Sequence, residues 1–188
     1  MLDITMKIDK DDEIFREINN EENEHMRDGH IGTHIDVYNK TDIPMEYFRT
    51  SAVIIDCTEY EIEKEIGIEI VDNIDIKEEM TVIFKTDMIK KCSYSSEGYR
   101  NHHQLSYELI EYLISKKIAF LGIDASGIRK GKGHKTTDIK CELHNVFVIE
   151  NLDLRKIKEK GNIYTTAYTM WEEDKEATAL QARIILDM

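Results

Sequence analysis

The sequence predicts a mixed α/β fold rich in strands. Three observations predict it. Short runs of β-branched and apolar residues recur between polar segments. One stretch has clear helical periodicity. A strand–helix–strand order near residues 119–151 suggests a parallel pair joined by a right-handed crossover. In chain order, residues 2–8 (LDITMKI) alternate apolar and polar and read as an opening strand. Residues 9–28 are strongly polar and read as a loop or an irregular helix. Residues 30–38 (HIGTHIDVY) are β-branched at Ile31, Thr33, Ile35 and Val37, which favours a strand. Pro44 fixes φ at the start of a short helical turn, PMEYF. SAVIIDC (51–57) and TVIFKT (81–86) read as buried strands. Ser106 is a plausible N-cap for a helix with Leu109, Ile110, Leu113 and Ile114 on one face, ending near Lys116 and Lys117. AFLGID (119–124) is the next strand, and 125–135 (ASGIRKGKGHK) reads as a basic, glycine-rich loop. A second helix is expected over 138–144 and a strand over 146–151. Two further strands, 162–171 and 178–187, flank the acidic loop EEDKE.

The bulk composition sets limits. The 188 residues are 41% hydrophobic and 34% charged, enough for one domain (1–188) with a real core and a heavily solvated surface. The net charge of -13 repels phosphates and argues against a nucleic-acid partner. No apolar run approaches bilayer length, so a membrane partner is not expected. The N-terminus carries an acidic cluster where a signal peptide needs an apolar stretch, so a cytoplasmic protein is expected. Cys57, Cys92 and Cys141 are odd in number and widely spaced, which argues against a disulfide framework. Cys57 ends an apolar run and reads as a small core residue.

The chemistry concentrates in His30-Ile31-Gly32-Thr33-His34-Ile35-Asp36. On an extended strand even offsets share a face, so His30, His34 and Asp36 point one way. A helix would swing Asp36 off that face. Gly32 permits a kink or a close backbone approach. Two imidazoles and a carboxylate converging on one spot form a metal site open to water or substrate. The competing reading is a half-buried strand with incidental polar residues on its outer face.

HIGTHID resembles the HxGTHxD signature of the cyclase-like metal-dependent hydrolases, which include kynurenine formamidase and isatin hydrolase. The similarity continues through DIPMEYFRTSAVIIDCT, TVIFKTD, AFLGIDA, VFVIENLDL and QARIILDM, over nearly the whole chain. The resemblance implies a three-layer β/β/α swivelling domain with a mixed sheet. It implies a divalent metal, zinc or manganese, held by His30, His34 and Asp36, with Glu150 completing the site. Family members often carry a histidine where this chain has Asp138. That carboxylate is either a ligand, which favours manganese or magnesium, or the N-cap of the following helix. The family signature often extends to HxGTHxDxPxH, its last histidine acting as acid or base. Here Tyr38 replaces the proline and Lys40 the histidine. Lys40 either stabilises an oxyanion or moves a proton, or is simply solvated.

The expected activity is hydrolysis of a linear or cyclic amide, of formamide, lactam or imide type, with metal-activated water. The alternative is a non-catalytic relative that binds a ligand or metal. A third reading is a cyclase or dehydratase acting on a polyketide-like substrate. The resemblance also implies a small-molecule substrate and a homodimer or homotetramer; the polar stretch 9–28 reads as either an arm toward a partner subunit or a disordered segment. His134, in the basic loop, is a candidate substitute ligand. His102 and His103 read as a solvated loop pair, and Trp171 and Tyr168 as core or subunit interface.

Overall fold

The apolar runs become strands because each alternates between two covered faces. The computed structural model describes residues 1–8, 28–94 and 96–188. Its strands are β1 (Leu2–Asp3), β2 (His34–Asp36), β3 (Arg49–Asp56), β4 (Thr81–Lys85), β5 (Phe120–Ile123), β6 (Phe147–Glu150), β7 (Ile163–Trp171) and β8 (Ala179–Leu186). The helices are α1 (Met88–Lys91), α2 (Glu97–Arg100), α3 (Tyr107–Ser115) and α4 (Gly133–Glu142), with 3-10 turns at Met45–Phe48 and Ile68–Val71.

The sheet runs β1-β8-β2-β6-β5-β4-β3-β7, and β7 also pairs with β8. That last pairing closes seven strands into a barrel, with β1 alongside β8. Strands β3, β4, β5 and β6 are mutually parallel. β2 is antiparallel to both β6 and β8, and β7 is antiparallel to β3 and β8. The expected parallel pair is therefore β5–β6, with α4 as its crossover.

Alternation divides the core in two. Ile35, Ile54, Ile83, Phe120, Phe147, Ile149, Ala167 and Ile184 belong to one buried cluster, drawn from all seven barrel strands, which fills the lumen. Their chain neighbours Val53, Val82, Phe84, Leu121 and Val148 face outward and pack under α3 and the loops around it. Helix α3 starts as expected, with Ser106 Oγ accepting from Leu109 N–H at 3.1 Å. Leu109, Ile110, Leu113 and Ile114 are buried. Cys57 is fully buried, which pushes its thiol pKa up and leaves it a core residue.

Several boundaries differ from expectation. The opening strand is only Leu2–Asp3, because Met6 N–H goes to Thr33 Oγ1 at 2.7 Å instead of to a strand neighbour. The strand expected over 30–38 contracts to His34–Asp36, because Gly29 and Gly32 adopt φ of +101° and +59°. The second helix begins at Gly133, five residues before its expected start, so Asp138 lies inside α4 and is not its N-cap. The polar stretch expected as a loop or arm falls almost wholly in 9–27, outside the described residues. No described helix is long and apolar enough to cross a membrane.

Candidate metal centre

His34 and Asp36 project from β2 on the face opposite Ile35, which lies in the lumen, so both point outward toward α4. Register brings the next group beside them. His34 pairs with Glu150 across the β2–β6 ladder, and Glu150 points outward because Ile149 points in. His30 arrives from a turn rather than a strand. A Cβ at Gly29 would run into Ala179 O, so the tight passage against β8 admits only glycine. Gln181 Nε2 clamps the turn by donating to Gly29 O at 2.7 Å and to Ile31 O at 3.0 Å. Gly32 N–H donates to the Tyr94 hydroxyl at 2.9 Å, and Asn151 Nδ2 donates to Gly32 O at 3.0 Å.

The result is the convergence expected from the sequence, reached by a different backbone route. His30 Nδ1 lies 3.1 Å from Asp36 Oδ1, and His34 Nε2 lies 3.6 Å from the same oxygen and 3.5 Å from Glu150 Oε2. Helix α4 supplies the opposite wall. His134 and Asp138 are one turn apart on one helix face, with His134 Nε2 at 3.3 Å from Asp138 Oδ2 and 3.1 Å from Glu150 Oε1. His30, His34 and Asp36 form one group able to hold a metal ion, and Asp36, His134, Asp138 and Glu150 a second, so Asp36 is shared. Thus His30, His34, Asp36, Glu150 and Asp138 all come together, and His134 joins them.

The imidazoles are oriented from behind. His34 Nδ1 lies 2.9 Å from Gly32 O, which fixes its proton there and leaves Nε2 facing the carboxylates. His30 Nε2 lies 3.0 Å from Thr178 Oγ1, leaving Nδ1 toward Asp36. The close approaches inside the cluster lack hydrogen-bond geometry. His34 Nε2, both oxygens of Asp36 and of Asp138, and Glu150 Oε1 are buried without a hydrogen-bond partner. Buried charge left unpaired is costly, so this donor set fits a cation.

The titration directions agree. Burial opposes ionisation of Asp36, but the His30, His34 and His134 imidazoles outweigh it and hold the carboxyl below its usual range. Burial, aided by the Asp36 and Glu150 charges, pushes Asp138 well above that range despite His134. Burial works against a charged His134, yet Glu150, Asp138 and Asp36 raise it to about 10. Three carboxylates this close cannot all stay ionised without compensating positive charge.

Other residues fall around the centre. The Tyr38 ring stacks on His30, centroids 5.2 Å apart and planes 26° apart. Burial and the charges of Asp36, Asp138 and Glu150 raise the Tyr38 phenol, which keeps it neutral and places its hydroxyl within reach of their field. Lys40 Nζ instead sits 2.9 Å from Glu176 Oε2 in an exposed ion pair. His102 and His103 are not a solvated pair: both are buried. His102 Nδ1 lies 2.6 Å from His103 O, and His103 Nε2 lies 3.0 Å from Tyr60 O. Burial lowers His102 to about 4, so it is neutral at pH 7. Trp171 and Tyr168 lie on β7, both half-buried, with Trp171 packed against the lumen cluster.

Residues 2–129 match the model of the family described as "Putative cyclase", and the chain belongs to that family. The matched span holds His30, His34 and Asp36, and ends before α4. Solved structures extend the likeness. A "Potential Metal-Dependent Hydrolase With Cyclase Activity" aligns over 98% of this chain and 96% of its own, with a TM-score of 0.67 and 23% identity. A "predicted metal-dependent hydrolase from Bacillus stearothermophilus" aligns over the same shares with a TM-score of 0.67 and 22% identity. An isatin hydrolase bound to the product analogue thioisatinate aligns over 84% of this chain and 72% of its own, with a TM-score of 0.65 and 19% identity. At these identities the likeness establishes the shared fold. No curated protein sequence matches significantly.

Proposed function

We propose that this chain is a metal-dependent hydrolase of a small linear or cyclic amide: a formamide, lactam or imide. One observation carries the reading. Three imidazoles and three carboxylates from the 28–33 turn, β2, α4 and β6 meet in a buried cluster, where several of their polar atoms have no hydrogen-bond partner. A divalent ion held there supplies Lewis-acid polarisation of a carbonyl and water of lowered pKa. Mixed imidazole and carboxylate donors suit zinc or manganese. His30, His34 and Asp36 hold one ion. The sharing of Asp36 with His134, Asp138 and Glu150 supports a second. In this chain His134, one turn before Asp138, takes the part of the family histidine. Tyr38 walls the site with a neutral phenol.

Several further features belong to the same reading. The three-layer β/β/α description is compatible with a barrel whose parallel strands β3–β6 lie under α3. A homodimer or homotetramer is supported by the exposed apolar side chains Met45, Phe48 and Tyr164. A cytoplasmic setting is supported by three free cysteines. A catalytic part for Lys40 requires it to leave Glu176; the observed pair favours the solvated alternative. That pairing also motivates a second reading, a non-catalytic ligand- or metal-binding relative of the same fold.

The test is metal analysis joined to a substrate panel. Chelated protein reloaded with zinc or manganese should hydrolyse at least one of a set of N-formyl amides, cyclic imides and isatin-like lactams. His34→Ala should lose most of the bound metal. Metal-free purified protein whose uptake is untouched by His34→Ala sinks the proposal. Tight metal binding with no turnover of any amide leaves the binding reading in place.

A further inference from the structure

The chain carries 38 acidic and 25 basic residues, yet Gly127–Lys135 holds four lysine or arginine residues and no acid. Two of the four are occupied. Arg129 Nη1 pairs with Glu65 and donates to Leu105 O, both at 2.6 Å, and Lys130 Nζ donates to Asn101 Oδ1 at 3.0 Å. Lys132 and Lys135 are exposed and make no ion pair among the described residues. Lys135 directly follows His134, yet its ammonium does not pair with the nearby carboxylates of the cluster. It sits 4.8 Å from the centroid of the Tyr38 ring, the ring that stacks on His30. An uncommitted cation is thus held by an aromatic ring at the edge of the metal centre.

We propose that Lys135 selects substrates bearing a carboxylate beside the scissile amide, with Tyr38 holding the ammonium at the mouth of the site. The inference rests on the amide-hydrolase reading for its reaction and on the geometry of Lys135 for its selectivity. Its physical basis is electrostatic. An anion approaching a chain of net charge -13 is repelled except where positive charge is left uncompensated. The basic stretch before and at the start of α4 provides such a place next to the cluster. Lys135 recognises the remote carboxylate, and the reacting carbonyl goes to the centre itself.

The test uses the full chain loaded with zinc. Calorimetry compares benzoate, with one carboxylate, against phthalate, isophthalate and terephthalate, which carry two at increasing separation. At least one dicarboxylate should bind about fivefold tighter than benzoate, the worth of one partly exposed ion pair. Lys135→Met should abolish that advantage, weakening the dicarboxylate about fivefold more than benzoate, and Lys135→Arg should restore it. Equal binding of all four acids, or an advantage that survives Lys135→Met, overturns the inference. N-formylanthranilate and formanilide form the turnover arm, and the anionic amide should be preferred in wild type but not in Lys135→Met. Inert amides with an intact Lys135-dependent dicarboxylate preference would sink the hydrolase reading alone. Equal turnover of both amides with no dicarboxylate preference would sink the selectivity alone.

Discussion

Replacing Glu142 by alanine should unfasten the loop that carries Tyr38 from the helix that carries His134 and Asp138. Glu142 is 1% exposed, at the end of α4. Its carboxylate accepts from Asn39 N–H at 2.8 and 3.0 Å, from Thr41 N–H at 3.0 Å and from Asn39 Nδ2 at 3.1 Å. A hydrogen bond to an ionised acceptor contributes roughly 1.5–3 kcal/mol. The two backbone donors therefore set an upper bound near 6 kcal/mol on that scale. Asn39 is exposed, so water reaches its freed amide and recovers part of that loss. The net expectation is about 2–3 kcal/mol, a large value for one residue. Urea unfolding followed by Trp171, the only tryptophan, reads it directly. With a urea slope of roughly 2 kcal/mol/M, the midpoint should fall by roughly 1 M at unchanged slope. Glu142→Gln should lose about half as much, because its amide oxygen still accepts from one backbone N–H. An alanine variant with the wild-type midpoint would refute the idea that this carboxylate anchors the loop.

Two other outcomes follow from the same kind of reasoning. Burial raises the Asp124 carboxyl to about 6, against three favourable donors from Thr86 and Asp87. The folded state therefore holds this proton more tightly than the unfolded chain, whose value is near 3.9. The stability it contributes is fully present below about pH 4 and is lost as pH rises through about 6. Urea midpoints across that window should show the gap between wild type and Asp124→Asn narrowing as pH rises; a widening gap contradicts the assignment. Gly29→Ala meets both a φ of +101° and the Ala179 carbonyl. It should cost at least about 1–2 kcal/mol and lower the melting temperature, and an unchanged melting temperature would mean that the turn can reroute.

Much of this fold is legible in the chain because its driving residues are local. Ser106 and the four apolar residues after it specify α3 without help. The runs at 51–57, 81–86 and 119–124 declare buried strands by composition. The motif HIGTHID likewise declares His30, His34 and Asp36 as residues that converge. What was not legible depends on distant partners. Nothing in the 30–38 stretch signals that Gln181 and Asn151 will hold Gly29 and Gly32 in a turn, so the local sequence reads as a continuous strand. The start of α4 was hidden by Gly131 and Gly133, which locally argue for a loop. His134 was visible only as a histidine in that loop. Its role follows from the helix beginning early enough to place it a turn before Asp138. Barrel closure rests on β7 pairing with both β3 and β8, and strand partners far apart in sequence leave no periodic trace.

The filled lumen has a consequence for how this architecture accommodates new chemistry. Phe120, Phe147 and Ile149 occupy the inside, and the polar cluster is mounted on the outer wall. The barrel thereby acts as a fixed chassis. The segments 28–33, 37–43 and 125–135 lie beside the polar cluster on that outer wall, with Val37 and Ile43 anchoring one of them in the lumen. Tyr38, Lys40 and Lys135 all lie outside the lumen cluster. Changes in these side chains are then decoupled from the stability of the frame that carries the His30, His34, Asp36, Asp138 and Glu150 cluster.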